Sequence, residues 1–322
     1  MNTPHYRPVD KWCFPADRDH GEIVGVACDS KDRVFLFTRG TPPVMVLDRD
    51  GTLLSTWGGG LFERPHGIFI GPDDTVYCTD DFDHSVRAFT PDGMLKLTLG
   101  TSGKPSDTGA AGMDYRTIQR AGGPFCYPTN LAIGPTGDFF VADGYGNARV
   151  HQFVPDGRLR RSWGEPGVGP GQFHVPHGIA VDKDGTVYVA DRENSRIQRF
   201  SSAGAYLGEW TNVARPCQVF IGRDGLFYVA ELGFRAGRWP GWPPSEPGST
   251  GGRVSIFDRD GKLLARWGGG ENPTAPGDFF APHDIWVDSQ GDIYVAEVTL
   301  SGGGRKGVVP TSCHTLQKFE RV

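Results

Sequence analysis

The sequence of 322 residues contains no hydrophobic run long enough to cross a lipid bilayer. A spanning helix needs about 20 consecutive apolar residues, so we expect no membrane partner. The 33 basic and 38 acidic side chains are interspersed, give a net charge of −5 and form no basic stripe. Nucleic-acid-binding domains usually carry such a stripe, and the composition therefore also argues against a nucleic-acid partner.

Cysteine is scarce and lacks a metal-binding spacing. None of the six cysteines stands in a Cys-x-x-Cys pair. Cys28 and Cys78 fall in apolar runs, where we expect them to pack as small hydrophobic side chains. The N-terminal stretch MNTPHYRPVDKWCF has no apolar segment of the secretory type. We therefore expect a cytoplasmic protein whose thiols stay reduced.

The sequence does contain a hairpin pattern, seen most clearly in residues 175–196, VPHGIAVDKDGTVYVADRENSR. Two runs in which apolar residues alternate with small or polar ones predict two strands with one buried face. The Asp184-Gly185 pair between them is typical of a tight turn. The hairpin begins at His177 and ends at the carboxylate of Asp191.

This hairpin recurs six times along the chain, and most copies are followed by a second hairpin, as in residues 148–164, ARVHQFVPDGRLRRSWG. Six copies of a four-stranded unit predict an all-β, six-bladed β-propeller, and the Asp-Gly and Trp-Gly pattern resembles the NHL repeat. We expect one domain over residues 1–322. Residues 7–14 read as an outermost strand, which we expect to join the last blade and close the ring, so that no sheet edge stays exposed.

One face of the predicted propeller is elaborated. The first strand of each copy starts, and the second ends, on the face where consecutive blades are joined. Long segments rich in glycine, proline or serine fall at this face, namely residues 101–123, 233–252, 268–281 and 299–312. Loops of this length in a compact domain are usually functional, so we expect the ligand on this face.

Histidine stands at the start of the first strand in alternate copies. Around the ring the position is occupied in turn by Val24, His66, Thr129, His177, Cys217 and His283. Alternate blades of a six-fold ring stand 120° apart, so the three imidazoles are expected to converge near the axis. Three imidazoles with an open fourth position are typical of a catalytic zinc site. The alternative is that Pro-His-Gly is merely a turn signature where a strand begins.

Two arginines and a tyrosine follow the second strands of their copies, on the same face as the histidines. Arg39 and Arg192 suit a carboxylate ligand, because a guanidinium can bond both oxygens. A tyrosine beside a cation, such as Tyr145, can act as a general base. The alternative is that these side chains only pair with neighbouring acids, as Asp191 or Glu193 would allow for Arg192.

Residues 143–149 (DGYGNAR), 175–200 and 282–297 resemble the peptidyl-α-hydroxyglycine α-amidating lyases, a family of zinc-dependent six-bladed propellers. The resemblance implies that Tyr145, Arg39 and Arg192 are the active-site residues. It implies zinc on the three histidines, and a structural calcium on two backbone carbonyls and one aspartate. The implied zinc ligands are His66, His177 and His283, and the implied calcium ligands are Val26, Ile68 and Asp284.

The reaction implied by the resemblance splits an N-acyl carbinolamine that carries a carboxylate into an amide and glyoxylate. The chain has no counterpart of the monooxygenase half that makes this substrate in the family. Of a family disulfide, Cys126 matches one partner but Gly146 replaces the other, and Ala281 replaces a methionine near the third zinc histidine. These departures favour a small carbinolamide, such as an α-hydroxy-N-acylglycine or ureidoglycolate.

Two other functions stay open. A non-catalytic NHL propeller would bind a peptide or protein on its loop face, without a tightly bound metal. A metal-dependent hydrolase or lactonase could use the same three histidines to activate water. The reaction product distinguishes the two enzymes, because only the lyase releases glyoxylate.

Overall fold

The computed structural model describes residues 4–10, 12, 21–234 and 250–322, which are nearly all strand, turn and loop. They form six four-stranded sheets, here called blades 1 to 6 in chain order. The strands of blades 1 to 3 are β2 Ile23–Cys28, β3 Val34–Thr38, β4 Val44–Leu47 and β5 Leu53–Trp57 in blade 1; β6 Pro65–Ile70, β7 Val76–Asp80, β8 Ser85–Phe89 and β9 Leu95–Gly100 in blade 2; and β10 Pro128–Ile133, β11 Phe139–Asp143, β12 Arg149–Phe153 and β13 Leu159–Trp163 in blade 3. The strands of blades 4 to 6 are β16 Pro176–Val181, β17 Val187–Asp191, β18 Arg196–Phe200 and β19 Tyr206–Trp210 in blade 4; β20 Pro216–Ile221, β21 Phe227–Glu231, β22 Arg253–Phe257 and β23 Leu263–Gly268 in blade 5; and β24 Pro282–Val287, β25 Ile293–Glu297, β26 Leu316–Arg321 and β1 Tyr6–Pro8 in blade 6. A short parallel pair, β14 Glu165–Pro166 and β15 Gln172–Phe173, lies between blades 3 and 4 in the sequence.

In the part of the chain that the structure describes, helical structure is confined to single turns. One short α-helix, α1, covers Thr299–Gly302, and 3-10 turns cover Tyr115–Thr117, Arg192–Asn194 and Gly304–Lys306. Within the described ranges, no helix has the length and apolar character needed to span a bilayer. The six sheets confirm the all-β, six-bladed propeller that the repeats predict.

The chain divides into two compact units. Unit 1 comprises Met1–Thr56 and Phe220–Val322, and unit 2 comprises Trp57–Val219. In unit 2 the first strands of blades 2, 3 and 4 lie side by side, β6 against β10 and β10 against β16. In unit 1, β24 lies between β21 and β2. The expectation of one domain over residues 1–322 stays a prediction.

Burial falls from the first strand of a blade to the last. In blade 2, β7 is fully buried, whereas most residues of β9 are exposed or half-buried. Valine, isoleucine and aromatic residues fill the inner strands because branched and flat side chains pack well on a pleated surface. The cysteines predicted in strands follow this pattern, since Cys28 belongs to an apolar cluster of blades 1 and 6 and Cys78 is completely buried.

The N-terminal strand β1 is the outermost strand of blade 6. It runs antiparallel to β26, with Tyr6 opposite Arg321 and Pro8 opposite Phe319. The strand is shorter than the stretch 7–14 that the sequence suggests. Trp12 lies beyond its end and donates its indole N–H to the carbonyl of Arg49 at 3.0 Å, while residues 11 and 13–20 lie outside the described part of the chain.

A buried carboxylate ends the second strand in four blades and holds the backbone where the first strand begins. In blade 2, Asp80 lies opposite Pro65 and accepts the backbone N–H groups of Glu63 at 2.7 Å and Arg64 at 3.0 Å. In blades 3, 4 and 6, the fully buried carboxylates of Asp143, Asp191 and Glu297 accept the backbone N–H groups at the corresponding positions. The carboxylate thus fixes the residues that lead into the histidine position.

Replacing such a carboxylate should destabilise the fold. In Asp80→Asn the amide keeps one acceptor oxygen and turns N–H donors toward the backbone donors of Glu63 and Arg64. Buried donors without acceptors cost about 1–3 kcal/mol each, so we expect the free energy of unfolding to fall by about 3 kcal/mol in urea titrations. The control is Asp156→Asn at an exposed ion pair, where no measurable change is expected; equal effects of the two substitutions would contradict the capping role.

His314 gives the stability of the fold a pH dependence. Burial lowers the pKa of His314, but the hydrogen bond and charge of Glu297, at 2.7 Å, outweigh burial and raise it above its ordinary value. A raised histidine pKa stabilises the fold below about pH 6.5, and this contribution is lost as the pH rises through the folded-state pKa. Urea unfolding at pH 5.5 and pH 9 should therefore show a larger stability difference between wild type and His314→Gln at the lower pH. The exposed His5→Gln should show no such trend, and a difference independent of pH would refute the linkage.

Candidate functional site

His66 and His177 occupy the second position of β6 and β16 in unit 2, directly after a proline, and both are buried. The Nδ1 atom of His66 lies 2.7 Å from the carbonyl oxygen of Thr129, and that of His177 lies 2.9 Å from the carbonyl of Cys217. A carbonyl can only accept, so each Nδ1 carries the proton. In the neutral form of each ring, Nε2 then carries the lone pair that can bind a metal or a proton.

The hydroxyl of Tyr145 lies where these two Nε2 atoms converge. It is 3.1 Å from Nε2 of His66 and 3.1 Å from Nε2 of His177. A phenol has one proton to donate, so it can satisfy only one of the two lone pairs at a time. Two imidazole lone pairs aimed at one point are the arrangement that a transition-metal ion requires, and the donor set therefore fits zinc.

The backbone around Tyr145 packs closely against blade 4. A Cβ atom added to Gly144 would lie 2.1 Å from the carbonyl oxygen of Pro176, so only glycine allows this approach. Tyr145 and Gly146 donate their N–H groups to the carbonyls of Tyr127 and Cys126. These contacts explain why the tyrosine of the DGYGNAR segment reaches the histidines of two other blades.

Arg192 completes the group in unit 2. Its NH1 donates to the hydroxyl of Tyr145 at 3.2 Å, and its guanidinium carbon lies 5.2 Å from the centre of the Tyr145 ring. Burial lowers the pKa of Arg192, but the neighbouring Tyr145 and Glu193 outweigh burial and raise it above its ordinary value. The arginine therefore brings a permanent positive charge to the tyrosine hydroxyl.

The sequence left open whether Arg192 merely pairs with a neighbouring acid. Glu193 does accept the Nε of Arg192 at 2.7 Å, whereas Asp191 accepts from Arg196 at 2.7 Å. The pairing and the contact with Tyr145 coexist, because they use different nitrogens of one guanidinium. The two interpretations of Arg192 are therefore compatible.

Unit 1 contains His283 in the same register. It is the second residue of β24, is buried, and its Nδ1 donates to the carbonyl of Val24 at 2.7 Å. In the neutral form of the ring, Nε2 of His283 then carries the lone pair. His283 therefore offers the same kind of nitrogen donor as His66 and His177.

Arg39 also lies in unit 1, one residue after β3. Its side chain is largely buried and is paired with Glu22. Its backbone N–H donates to the Glu22 carbonyl at 3.0 Å, and its NH1 forms an ion pair with the fully buried Glu22 carboxylate. The other oxygen of this carboxylate accepts the backbone N–H of Ser301 at 2.8 Å. The predicted insertion 299–312 thus contacts the partner of a predicted site residue.

The predicted calcium ligands are distributed over both units. Asp284 is buried in unit 1, where its carboxylate accepts the backbone N–H of Val26 at 3.0 Å and of Ile285 at 2.9 Å. Both carboxylate oxygens of Asp284 thus accept backbone N–H groups, and oxygen ligands of this kind are the ones that calcium prefers. Ile68 lies in β6 of unit 2, and the calcium ion stays a prediction.

Two other sequence observations acquire a structural setting. A Cβ atom placed on Gly146 would lie 2.5 Å from the sulfur of Cys126, so position 146 does lie beside this thiol, as the resemblance implies. Cys217, in the histidine register, contributes its carbonyl to His177. Burial raises the pKa of its thiol to about 11, so the side chain is neutral at pH 7.

The insertions of the elaborated face lie partly beside the site. Thr108, in the insertion 101–123, donates its hydroxyl to the carbonyl of Gly146 at 2.6 Å. Tyr115 packs against His174, with ring centres 5.2 Å apart and an angle of 51° between the ring planes. Most of the segment 233–252 lies outside the described residues. Residues that the sequence alone did not assign to the site, such as Glu22 and Arg215, are brought to it by tertiary contacts that no local pattern announces.

Comparison with known proteins connects these features to a family. The family model of the NHL repeat matches residues 125–153 and 173–200. Peptidylglycine alpha-amidating monooxygenase of Rattus norvegicus is 31% identical over 312 residues, covering 86% of this chain and 29% of that protein. Peptidyl-alpha-hydroxyglycine alpha-amidating lyase 1 of Drosophila melanogaster is 32% identical over 271 residues, covering 77% of this chain and 45% of that protein. The chain thus spans less than half the length of these two relatives.

NHL repeat-containing protein 3 of Mus musculus is covered more completely. It is 30% identical over 318 residues, which are 92% of this chain and 83% of that protein. Among solved structures, virginiamycin B lyase from Staphylococcus aureus matches with a TM-score of 0.60 at 14% identity, covering 99% of this chain and 100% of that chain. At such low identity the likeness shows the fold alone.

Proposed function

The chain belongs to the NHL-repeat family that includes the peptidyl-α-hydroxyglycine α-amidating lyases and NHL repeat-containing protein 3, and on this premise we propose that it is a metal-dependent carbon–nitrogen lyase. Its substrate is an N-acyl carbinolamine that bears a carboxylate, and its products are an amide and glyoxylate. The single observation that carries the proposal is the position of the Tyr145 hydroxyl, within 3.2 Å of His66, His177 and Arg192.

The three histidines are the proposed metal ligands. His66, His177 and His283 each donate Nδ1–H to a backbone carbonyl and keep Nε2 for coordination, and the amidating-lyase resemblance favours zinc. When bound, the metal supplies Lewis-acid polarisation of the substrate hydroxyl. The structural calcium near Asp284 belongs to the same proposal.

The chain's own side chains orient the substrate and move one proton. Arg192 and Arg39 bind the carboxylate and thereby place the carbinol carbon beside Tyr145. Tyr145 acts as the phenolate, its own proton having left to solvent beforehand. Its oxygen accepts the proton of the carbinol hydroxyl while the C–N bond breaks and the C=O bond of glyoxylate forms. The same proton then passes to the nitrogen that leaves as the amide. The products together contain all the atoms of the substrate, so neither water nor a redox partner is consumed.

The acyl group of the substrate is proposed to be small. Ala281 is completely buried and stands two residues before His283, where the family has a larger methionine, so the pocket differs in shape from that of the peptide-amidating members. An α-hydroxy-N-acylglycine or ureidoglycolate is the proposed class. We further propose a cytoplasmic protein with a small-molecule partner and with neither a nucleic-acid nor a membrane partner.

A non-catalytic propeller that binds a peptide or protein is the second candidate. It is favoured by the similarity to NHL repeat-containing protein 3, which this chain covers to 83%. A glyoxylate assay with α-hydroxyhippurate separates the two. Release of glyoxylate that is lost on chelation and restored by zinc supports the lyase, whereas a chain that holds no metal and releases none is a binding propeller.

Tyr145→Phe removes the hydroxyl that is proposed as the base and keeps the aromatic ring of the side chain. We expect zinc content per chain to stay unchanged and kcat for glyoxylate release to fall about 10²–10⁴-fold, the usual contribution of a general base. The matched control is Tyr206→Phe on the outer strand of blade 4, which should keep full activity. A Tyr145→Phe enzyme with wild-type kcat would rule out this tyrosine as the base.

His177→Ala should remove metal and activity together. The loss of one of three imidazole ligands leaves a pair that binds zinc weakly, so metal analysis after dialysis should find well under one zinc per chain. His5→Ala, at an exposed position, is the control and should retain the wild-type content. Full zinc occupancy in His177→Ala would show that the metal is held elsewhere.

A further inference from the structure

Glu193 lies at the centre of a buried charge cluster in unit 2. Its carboxylate accepts Nε of Arg192 at 2.7 Å, and both Nε and NH2 of Arg215, at 3.0 and 2.9 Å. The three side chains are buried, with 0–3% of each side chain exposed. Burying one anion between two cations removes three charges from water, and such a cluster is stable only when every partner stays in place.

The charges in this cluster stabilise one another. Burial raises the pKa of Glu193, but the guanidinium groups of Arg192 and Arg215 outweigh burial and hold the pKa below its ordinary value. Glu193 is therefore an anion throughout the neutral range. Its two oxygens are arranged so that Arg215 contacts both of them and Arg192 contacts one.

Backbone contacts fix the position of the carboxylate. The N–H groups of Arg192 and Glu193 donate to the carbonyls of Val175 and His174, at 3.1 and 3.0 Å. The N–H of Arg215 donates to the hydroxyl of Ser195 at 3.1 Å. The 3-10 turn that carries Arg192 and Glu193 is thereby tied both to the start of β16 and to the start of β20.

A continuous series of hydrogen bonds leads from this cluster to the proposed active site. Arg215 donates to the carboxylate of Glu193, which also accepts from Nε of Arg192, and NH1 of Arg192 donates to the hydroxyl of Tyr145. Because Nε of Arg192 donates to Glu193, only the terminal nitrogens of this guanidinium can contact a ligand. One of these lies beside Tyr145, so a carboxylate bound there lies next to the tyrosine hydroxyl.

Unit 1 repeats this design with different residues. Arg39, the second arginine proposed to bind the carboxylate, is paired with the fully buried Glu22. Glu22 also accepts the backbone N–H of Ser301. Both arginines are therefore oriented by buried glutamates that are themselves held by further donors.

We propose that Glu193 and Arg215 are positioning residues for the carboxylate of the substrate, an inference that rests on the proposed lyase function. Glu193 fixes the orientation of Arg192, and Arg215 fixes Glu193. Neither residue takes part in the proton transfer. Their effect is on the recognition of the carboxylate, and therefore on binding more than on turnover.

The test compares Glu193→Gln with wild type by calorimetry, using two probes that cannot be cleaved. Hippurate carries the carboxylate and lacks the hydroxyl, and hippuramide replaces the carboxylate by a neutral amide. We expect the Kd of hippurate to rise about ten-fold in Glu193→Gln, because Arg192 is no longer held by a charge-assisted bond, and the Kd of hippuramide to stay the same. The matched control is Glu209→Gln, which breaks another glutamate–arginine pair of unit 2, at 3.0 Å from Arg196, and should leave both Kd values unchanged.

Kinetics add an independent readout. With α-hydroxyhippurate, the KM of Glu193→Gln should rise about ten-fold and kcat should change less, at unchanged zinc content. A folded Glu193→Gln with the wild-type hippurate Kd overturns the inference. If Glu193→Gln does not fold, Arg215→Lys tests the same inference, because lysine keeps the positive charge but cannot bond both oxygens of Glu193. An unchanged Kd of hippurate in Arg215→Lys would then overturn the inference. If hippurate binds wild type no better than hippuramide, both proposals fail, whereas hippurate selectivity without glyoxylate release overturns the lyase function alone.

Discussion

The buried carboxylate at the end of the second strand is the interaction on which the site depends. In blades 2, 3, 4 and 6 it accepts backbone N–H groups of the residues just before the first strand. A carboxylate without these donors would be costly to bury, and the donors without the carboxylate would be unsatisfied. The two strands therefore fix one another at the end where the histidines stand. Buried carboxylates therefore fix the backbone from which the proposed site residues project.

The alternation of histidine with other residues has a structural reason. Each histidine donates Nδ1–H to the carbonyl of the equivalent residue in the following blade, and these residues are Thr129, Cys217 and Val24. The histidine uses only the backbone carbonyl of that following position, so this hydrogen bond does not itself require a particular side chain there, and threonine, cysteine and valine all serve. Three of the six positions thus carry an imidazole, and the other three supply the backbone carbonyl that orients it, as the partners of metal-binding histidines usually do.

Much of this could be read from the sequence. Period-2 alternation, Asp-Gly turns and sixfold repetition predict the blades, and the sequence places Tyr145 on the same face as the histidines. The structure adds that the Tyr145 hydroxyl contacts His66 and His177. The parts that escaped prediction depend on contacts between distant segments. Glu22 and Arg215 carry no local signature, and their roles follow from which arginine or carboxylate the fold places beside them. The length of β1 also differed from the expected stretch 7–14, since the paired register on β26 covers Tyr6–Pro8 and Val9 adds one backbone hydrogen bond to Lys318. Glu193 was visible in the sequence as a partner for Arg192, but its bond to Arg215 was not.

The sharing of blade 6 between the two ends of the chain has a consequence for synthesis. Tyr6 pairs with Arg321, so β1 can complete its blade only after β26 has been synthesised. Contacts of such sequence separation form slowly, because a long loop must close before they gain anything. Until then β26 is missing as well, and β25 presents an edge that another chain could pair with. The unfinished blade 6 is therefore a point at which the chain can aggregate until β26 has paired with β25.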